Sequence, residues 1–230
     1  YPLDINSDGF LDLAFLRVGE NILLEGAADC HFAPSSLNLT SYEKGWTTAF
    51  SATWEAGQSL PTLAFGNYVD RDNPDGPFGT CDDNFLFRPR DNTYAAPRLL
   101  EPGYCPLSML FSDWGRRGQA DLRLSNDRHY YLNAGEEQMW EMAAVPRLYK
   151  TQDGWQRHKL WGMGIASRDI TGDGLPEVYL TSMGDQRLQI LDTEVAGPSY
   201  RDATYGRGTT AQRPYTGGDG RPSTGWHVGF

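Results

Sequence analysis

The chain is short of the residues that most often announce chemistry. Its 230 residues include three cysteines, Cys30, Cys81 and Cys105, and four histidines, His31, His129, His158 and His227. No Cys-x-x-Cys pair occurs and the histidines are scattered, which argues against a zinc site. No apolar run reaches the ~18 residues of a membrane-spanning helix, so the protein is not expected to span a membrane. Positive charge is scarce as well: 20 Lys and Arg stand against 30 Asp and Glu, for a net charge of −10 and a pI near 4.8. Nucleic-acid partners need a basic footprint and are not expected. Catalytic signatures are missing too, with no Gly-x-Ser-x-Gly elbow, His-Glu-x-x-His, P-loop or dinucleotide fingerprint. His129, in Asn-Asp-Arg-His-Tyr-Tyr, reads as a hydrogen-bonded structural histidine on a strand edge. Glu136 and Glu137 are adjacent and would point apart on a helix or strand, so they do not make a catalytic pair. The protein is therefore not expected to be an enzyme, and a polysaccharide hydrolase or lyase is the least favoured reading.

What the chain does have is a repeat. The pattern Asp-x-(Asn/Thr)-x-Asp-Gly-x-x-(Asp/Glu), followed by alternating apolar residues, begins at Asp4 and again at Asp169. A decayed copy begins at Asp113 and a nearly erased one at Trp54. The better copies are flanked by strand-like segments such as Leu107–Ser112, Gly162–Ser167, Glu177–Ser182 and Gln186–Leu191. Helical signals are sparse; Gly135–Met142 is the one stretch expected to make a turn or two of helix. Repeat units of about 50–60 residues, rich in short strands and Gly/Pro turns, predict an all-β chain of β-propeller blades. With 39% hydrophobic residues the chain can bury a sizeable core. It starts just before a motif aspartate with no signal peptide, and Ser223–Phe230 reads as another lead-in strand. The expectation is about four blades of a single propeller domain spanning 1–230, phased as part of a larger ring.

The loops suit a hard cation. Ca²⁺ takes about 6–8 oxygen ligands in a flexible cage. In the first loop the side chains of Asp4, Asn6, Asp8 and Asp12 and the carbonyl of Phe10 are the candidate ligands. In the fourth they are Asp169, Thr171, Asp173 and Glu177, with the carbonyl of Leu175. Glycine at the sixth position, Gly9 or Gly174, permits the positive φ that turns the chain round the ion. Two calcium sites are expected. The loops at Asp113 and Trp54 have lost ligands and are expected to hold none, with the Arg117 guanidinium standing where a cation would sit.

These loops resemble the FG-GAP, or VCBS, repeat of integrin-type propellers. The segments Ala64–Asp72, Ser125–Tyr131 and Trp161–Ser167 are similar to bacterial members of the cartilage-acidic-protein-like family, often associated with the ASPIC/UnbV module. The resemblance covers essentially the whole chain. It implies a secreted or periplasmic seven-bladed propeller of four-stranded antiparallel blades, without established enzymatic activity.

The remaining features are local. Cys81 and Cys105 flank an irregular stretch broken by Pro89, Pro97 and Pro102, which suits a disulfide. Cys30 is left as a buried free thiol or one with a partner outside the chain. An irregular acidic insertion occupies 70–105, where Asp70, Asp72, Asp75, Asp82 or Asp83 could bind a further cation, the plainer reading being a solvated loop. Asn38-Leu-Thr40 fits a glycosylation sequon and is assigned no function. The favoured role is a calcium-stabilised scaffold for a protein partner. The alternative is a carbohydrate-binding propeller, in which Trp46, Trp155 and Trp226 are the candidates to stack on sugar rings.

Overall fold

Short apolar strands punctuated by Asp/Gly turns pair with their nearest neighbours in sequence, and the computed structural model describes the result for residues 1–37, 39, 45–74, 80–127, 135–184, 186–209 and 224–230. Four four-stranded antiparallel sheets follow one another along the chain. Sheet 1 holds β1 (Pro2–Leu3), β2 (Asp12–Phe15), β3 (Ile22–Ala27) and β4 (His31–Pro34) in that order. Sheet 2 holds β5 (Thr47–Thr53), β6 (Thr62–Asn67) and β7 (Asn84–Phe87). A small hairpin, β8 (Pro89–Arg90) with β9 (Thr93–Tyr94), then intervenes before the edge strand β10 (Arg98–Leu100). Sheet 3 is β11 (Pro106–Ser112), β12 (Asp121–Asn126), β13 (Gln138–Glu141) and β14 (Arg147–Leu148). Sheet 4 is β15 (Gly162–Arg168), β16 (Glu177–Ser182), β17 (Arg187–Leu191) and β18 (Tyr200–Asp202). The only helical turns among the described residues are Ala28–Cys30 and Thr151–Asp153, both 3₁₀. The chain is thus all-β as expected. The helical turns expected near Gly135–Met142 are instead β13, because Met139 and Trp140 are needed on the strand to face the core.

The repeat governs register. The residue before each loop pairs with the loop's ninth residue in every sheet: Leu3 with Asp12, Thr53 with Thr62, Ser112 with Asp121 and Arg168 with Glu177. At the far end of the first strand, three sheets carry the same irregularity, between Thr47 and Ala49, Pro106 and Ser108, and Gly162 and Gly164. A bulge adds one unpaired residue and increases local twist.

The chain forms two compact units, Tyr1–Cys105 and Pro106–Phe230. In the first, Ile5, Ala14 and Leu23 of sheet 1 and its loop pack with Phe50, Leu63, Phe65 and Phe87 of sheet 2. Phe65 sits between Phe50 and Phe87, with ring centroids 5.1 and 5.6 Å away. In the second, Met139 of sheet 3 and Val178, Leu180 and Tyr200 of sheet 4 enclose Trp114, Tyr149 and Trp155. Burial of each such large apolar side chain contributes roughly 1.5–3 kcal/mol. The second strands β6 and β12 are buried at every position, so apolar alternation there does not mark a wet face. Thr224–Phe230 is assigned to no strand but lies along sheet 4, where the Gly225 N–H donates to the Ser182 carbonyl at 3.0 Å. Gly225 abuts Thr181 and Gln186 as Gly162 abuts Ser125 and Glu137.

Candidate functional site

Each loop between the first and second strands has one backbone shape. The fourth residue takes a positive φ in all four copies: Ser7 (61°), Gly57 (81°), Arg116 (52°) and Gly172 (78°). The sixth does so in three, at Gly9, Gly118 and Gly174. The left-handed conformation strains residues with a Cβ, and tight local hydrogen bonding offsets that strain here. The first aspartate supplies it. Asp4 accepts from the N–H groups of Asp8 (3.1 Å) and Gly9 (3.0 Å). Asp113 accepts from Arg117 and Gly118, both at 2.7 Å, and Asp169 from Gly172 (2.7 Å) and Gly174 (2.8 Å). The fifth-position aspartates repeat the device, Asp8 accepting from Phe10 and Asp173 from Leu175, each at 2.8 Å. Asn6 closes the first loop, its Oδ1 accepting from the Asp8 N–H and its Nδ2 donating to the Asp8 carboxylate, both at 3.0 Å.

The ninth position is buried and ties loop to sheet. Asp12 accepts from the Ile5 N–H (2.7 Å) at the loop's start and from the Gly26 N–H (2.9 Å) on β3. Glu177, one methylene longer, takes the N–H groups of Ile170 (2.6 Å) and Thr171 (3.1 Å) and the Thr171 hydroxyl (3.1 Å). Thus Asp4, Asn6, Asp8, Asp169, Thr171 and Asp173 lie in solvent-accessible loops, whereas Asp12 and Glu177 lie beneath them. Among the described residues, no three acidic, histidine or cysteine side chains converge tightly enough to share an ion.

The two decayed loops are closed by other charges. The guanidinium of Arg117 pairs with the buried ninth-position carboxylate of Asp121 and lies over the Trp114 ring, 4.7 Å from its centroid. Asp121 also accepts from the Trp114 indole (2.7 Å), the Tyr149 hydroxyl (2.8 Å) and the Met142 N–H (2.9 Å). The neighbouring Arg116 reaches the fourth loop: a Cβ on Gly174 would stand 2.3 Å from its Nη1. In the Trp54 loop, Thr62 donates to Glu55 (2.6 Å), which also binds Arg88 at 2.8 Å.

A second repeated contact caps the end of the second strand in three of the sheets. A side-chain oxygen just before or at the start of the third strand accepts the last N–H of the second: Asn84 from Asn67 (3.0 Å), Glu137 from Asn126 (2.9 Å) and Gln186 from Ser182 (3.1 Å). Glu137 is the charged exception. Burial pushes its carboxyl up to about 8, against the opposing pull of its hydrogen bond from Asn126 and of the nearby Arg123 charge.

Other candidates fall as follows. Cys81 and Cys105 form a disulfide with Cα atoms 5.2 Å apart, and Cys30 is a free thiol on the surface rather than buried. In the acidic insertion, burial and the charges of Asp70, Asp83 and Asp72 push the Asp82 carboxyl up to about 6. Asp83 is held by the Gly103 N–H at 3.0 Å, and Asp70 by that of Asp72 at 2.9 Å. Asp75, His129, Asn38 and Thr40 lie outside the described residues. Trp155 is buried and cannot stack on a sugar, while Trp46 and Trp226 are exposed. Glu136 pairs with Arg157 at the surface, and Glu137 points to the core.

Sequence reasoning missed the fourth-position φ and the second-strand cap. Aligning the repeats would have shown both, since Gly57 and Gly172 coincide, as do Asn84, Glu137 and Gln186. It also missed Arg123, whose side chain is fully buried although Leu122-Arg123-Leu124 reads as a strand with one wet face. No helix among the described residues is long and apolar enough to cross a membrane. No protein-family model and no curated protein matches the chain.

Proposed function

We propose that the chain is a segment of a calcium-braced β-propeller of the FG-GAP/VCBS type, exported from the cytoplasm and serving as a scaffold for a protein partner. The observation that carries this reading is the fourfold recurrence of a loop with a left-handed fourth residue, in one register, at the head of a four-stranded antiparallel sheet. The residues that would hold Ca²⁺ are Asp4, Asn6, Asp8 and Asp12 with the Phe10 carbonyl, and Asp169, Thr171, Asp173 and Glu177 with the Leu175 carbonyl. Their all-oxygen chemistry suits calcium, and each aspartate oxygen that accepts an N–H accepts only one and keeps a second lone pair for a cation, while Glu177 Oε2 already takes two. Calcium would supply the positive charge that the first loop otherwise lacks and would add to that of Arg116 beside the fourth. The third loop supports that need from within the chain, since Arg117 brings a fixed cation to Asp121. The Cys81–Cys105 disulfide fits an oxidising compartment. Rigid sheets that present loops on one scaffold suit recognition.

Two experiments test the proposal. Asp173→Ala is expected to melt several degrees lower than the parent in calcium and at the same temperature in chelator; equal melting in calcium would refute the metal role. Capture of partners from the native source, with calcium and after chelation, is expected to retain one protein in calcium alone. The exposed indoles of Trp46 and Trp226 favour a second reading, glycan binding. A glycan-array signal abolished by Trp46→Ala or Trp226→Ala would put that reading first.

A further inference from the structure

A cavity in the Pro106–Phe230 unit reverses the sign of the chain's charge. The segment Gln156–Leu160, which leads into β15, passes beside β17 and β18 and encloses a space of about 280 Å³. That is at or below the ~300–1,000 Å³ typical of drug-sized sites, so the cavity suits a small ligand. Its walls carry three cationic side chains, Arg157, Lys159 and Arg187, against one carboxylate, Asp202, in a chain of net charge −10. Arg187 pairs with Asp202 and Arg157 with Glu136, while Lys159 is exposed and has no ion-pair partner among the described residues. His158, also in the wall, is pushed down to about 4 by burial and by the charges of Arg123 and Arg187. It is neutral at pH 7, lies 3.3 Å from the Gln189 amide nitrogen, and adds no charge to the wall.

Behind this wall stands the fully buried Arg123. Its Nη2 donates to the Oε1 of Gln189, and its guanidinium is flanked by the rings of Trp155 and Tyr200, at 5.1 and 4.9 Å from their centroids. Gln189 and Tyr200 both line the cavity. The Nε and Nη1 of Arg123 make no hydrogen bond among the described residues. Its acidic neighbour is Glu137, which burial holds toward the neutral form. A buried cation without full counter-charge favours an anion close by. The Gln189 amide and the Tyr200 ring stand between the two, so the anion would meet Lys159 and Arg187 directly and Arg123 through its field.

We propose that this cavity binds a small ligand through an oxyanion group, whether carboxylate, sulfate or phosphate, with Lys159 and Arg187 holding the anion and Gln156 the neutral part. The proposal rests on neither calcium nor ring closure, so it is tested on protein stripped of calcium and then dialysed free of chelator, whose carboxylates would compete. Glucuronate, glucose 6-phosphate, inorganic sulfate and uncharged glucose are titrated calorimetrically at low salt. The expected result is saturable binding of at least one charged probe, none of glucose, and affinity that falls as salt is added. Lys159→Gln, an exposed substitution that leaves the fold untouched, is expected to weaken binding roughly fivefold or more, and Lys159→Gln/Arg187→Gln to abolish it. Binding of the sugar acids without sulfate would assign the site to an organic anion; competition by sulfate would assign it to the bare oxyanion. The proposal is overturned if no charged probe saturates below roughly 10 mM, beyond the range that a few charge-assisted hydrogen bonds supply. It is equally overturned if glucose binds as well as glucuronate, or if the double variant binds like the parent.

Discussion

Glu137→Gln should stabilise the protein, and by an amount that grows with pH. Three sheets cap the end of their second strand with a side-chain oxygen, and two of them use an amide, Asn84 and Gln186. Glu137 occupies the same place with an ionisable group, fully buried, whose carboxyl is raised from the ordinary 4.5 to about 8. Below about pH 4.5 both the folded and the unfolded chain keep the proton, and Glu137 contributes its full share of stability. Between 4.5 and 8 the unfolded chain releases the proton and the folded one retains it, so stability falls as pH rises. Above 8 both are ionised and the loss levels off. At ~1.4 kcal/mol per pH unit, the loss is about 3 kcal/mol at pH 7 and on the order of 5 kcal/mol at pH 9. Glutamine keeps the oxygen that accepts the Asn126 N–H and carries no proton to lose. Thermal melts of parent and variant at pH 5, 7 and 9 should therefore diverge, within about 3 °C of each other at pH 5 and roughly 10 °C or more apart at pH 9. Parallel melting curves across that range would refute the reasoning, because they would mean that Glu137 is ionised in the fold at little cost.

The other predictions concern the loops and the links that hold the sheets. Arg117→Asp restores the full acidic pattern of the third loop but removes the cation on buried Asp121. Because Arg117 is partly exposed, the expected loss in chelator is about 2 kcal/mol, less than for a fully buried pair. Millimolar calcium should recover part of it, and a calcium-independent loss would show that the loop shape alone does not make a site. Gly162→Ala would place a Cβ 2.1 Å from the Ser125 Oγ and 2.9 Å from the Asn126 nitrogen. Such overpacking costs roughly 1–3 kcal/mol, read as a lowered melting temperature. The Cys81–Cys105 bridge spans 24 residues, and opening it costs about 3 kcal/mol by loop entropy. Reductant should lower the melting temperature of the parent and leave that of Cys81→Ser/Cys105→Ser unchanged.

Much of the architecture is legible in the sequence because it is carried by local chemistry. The pairing of Ser112 with Asp121 and of Arg168 with Glu177 follows from a nine-residue loop whose glycines and aspartates form one turn wherever they recur. β16 falls on the expected Glu177–Ser182, and the two cysteines bracketing the proline-broken stretch are joined. The left-handed fourth position is equally local, but Ser7 and Arg116 hold it in two loops, so glycine alone does not mark it. Tertiary packing decided the rest. β13 formed where weak helical propensity was read, because Met139 and Trp140 are worth more in the core than one turn of helix. Trp155 went inside while Trp46 and Trp226 stayed out, a choice that composition cannot make. The charged cavity depends on parts far apart in the chain: Arg123 from β12, Gln189 from β17 and Tyr200 from β18. An arginine between two leucines in a strand reads as exposed, and only the packing of Gln189, Trp155 and Tyr200 against it turns it into a buried charge in need of an anion. The sequence by itself therefore determined turns, register and the bridge, whose physics is contained within a few residues. The tertiary structure alone decided which polar groups lost their water.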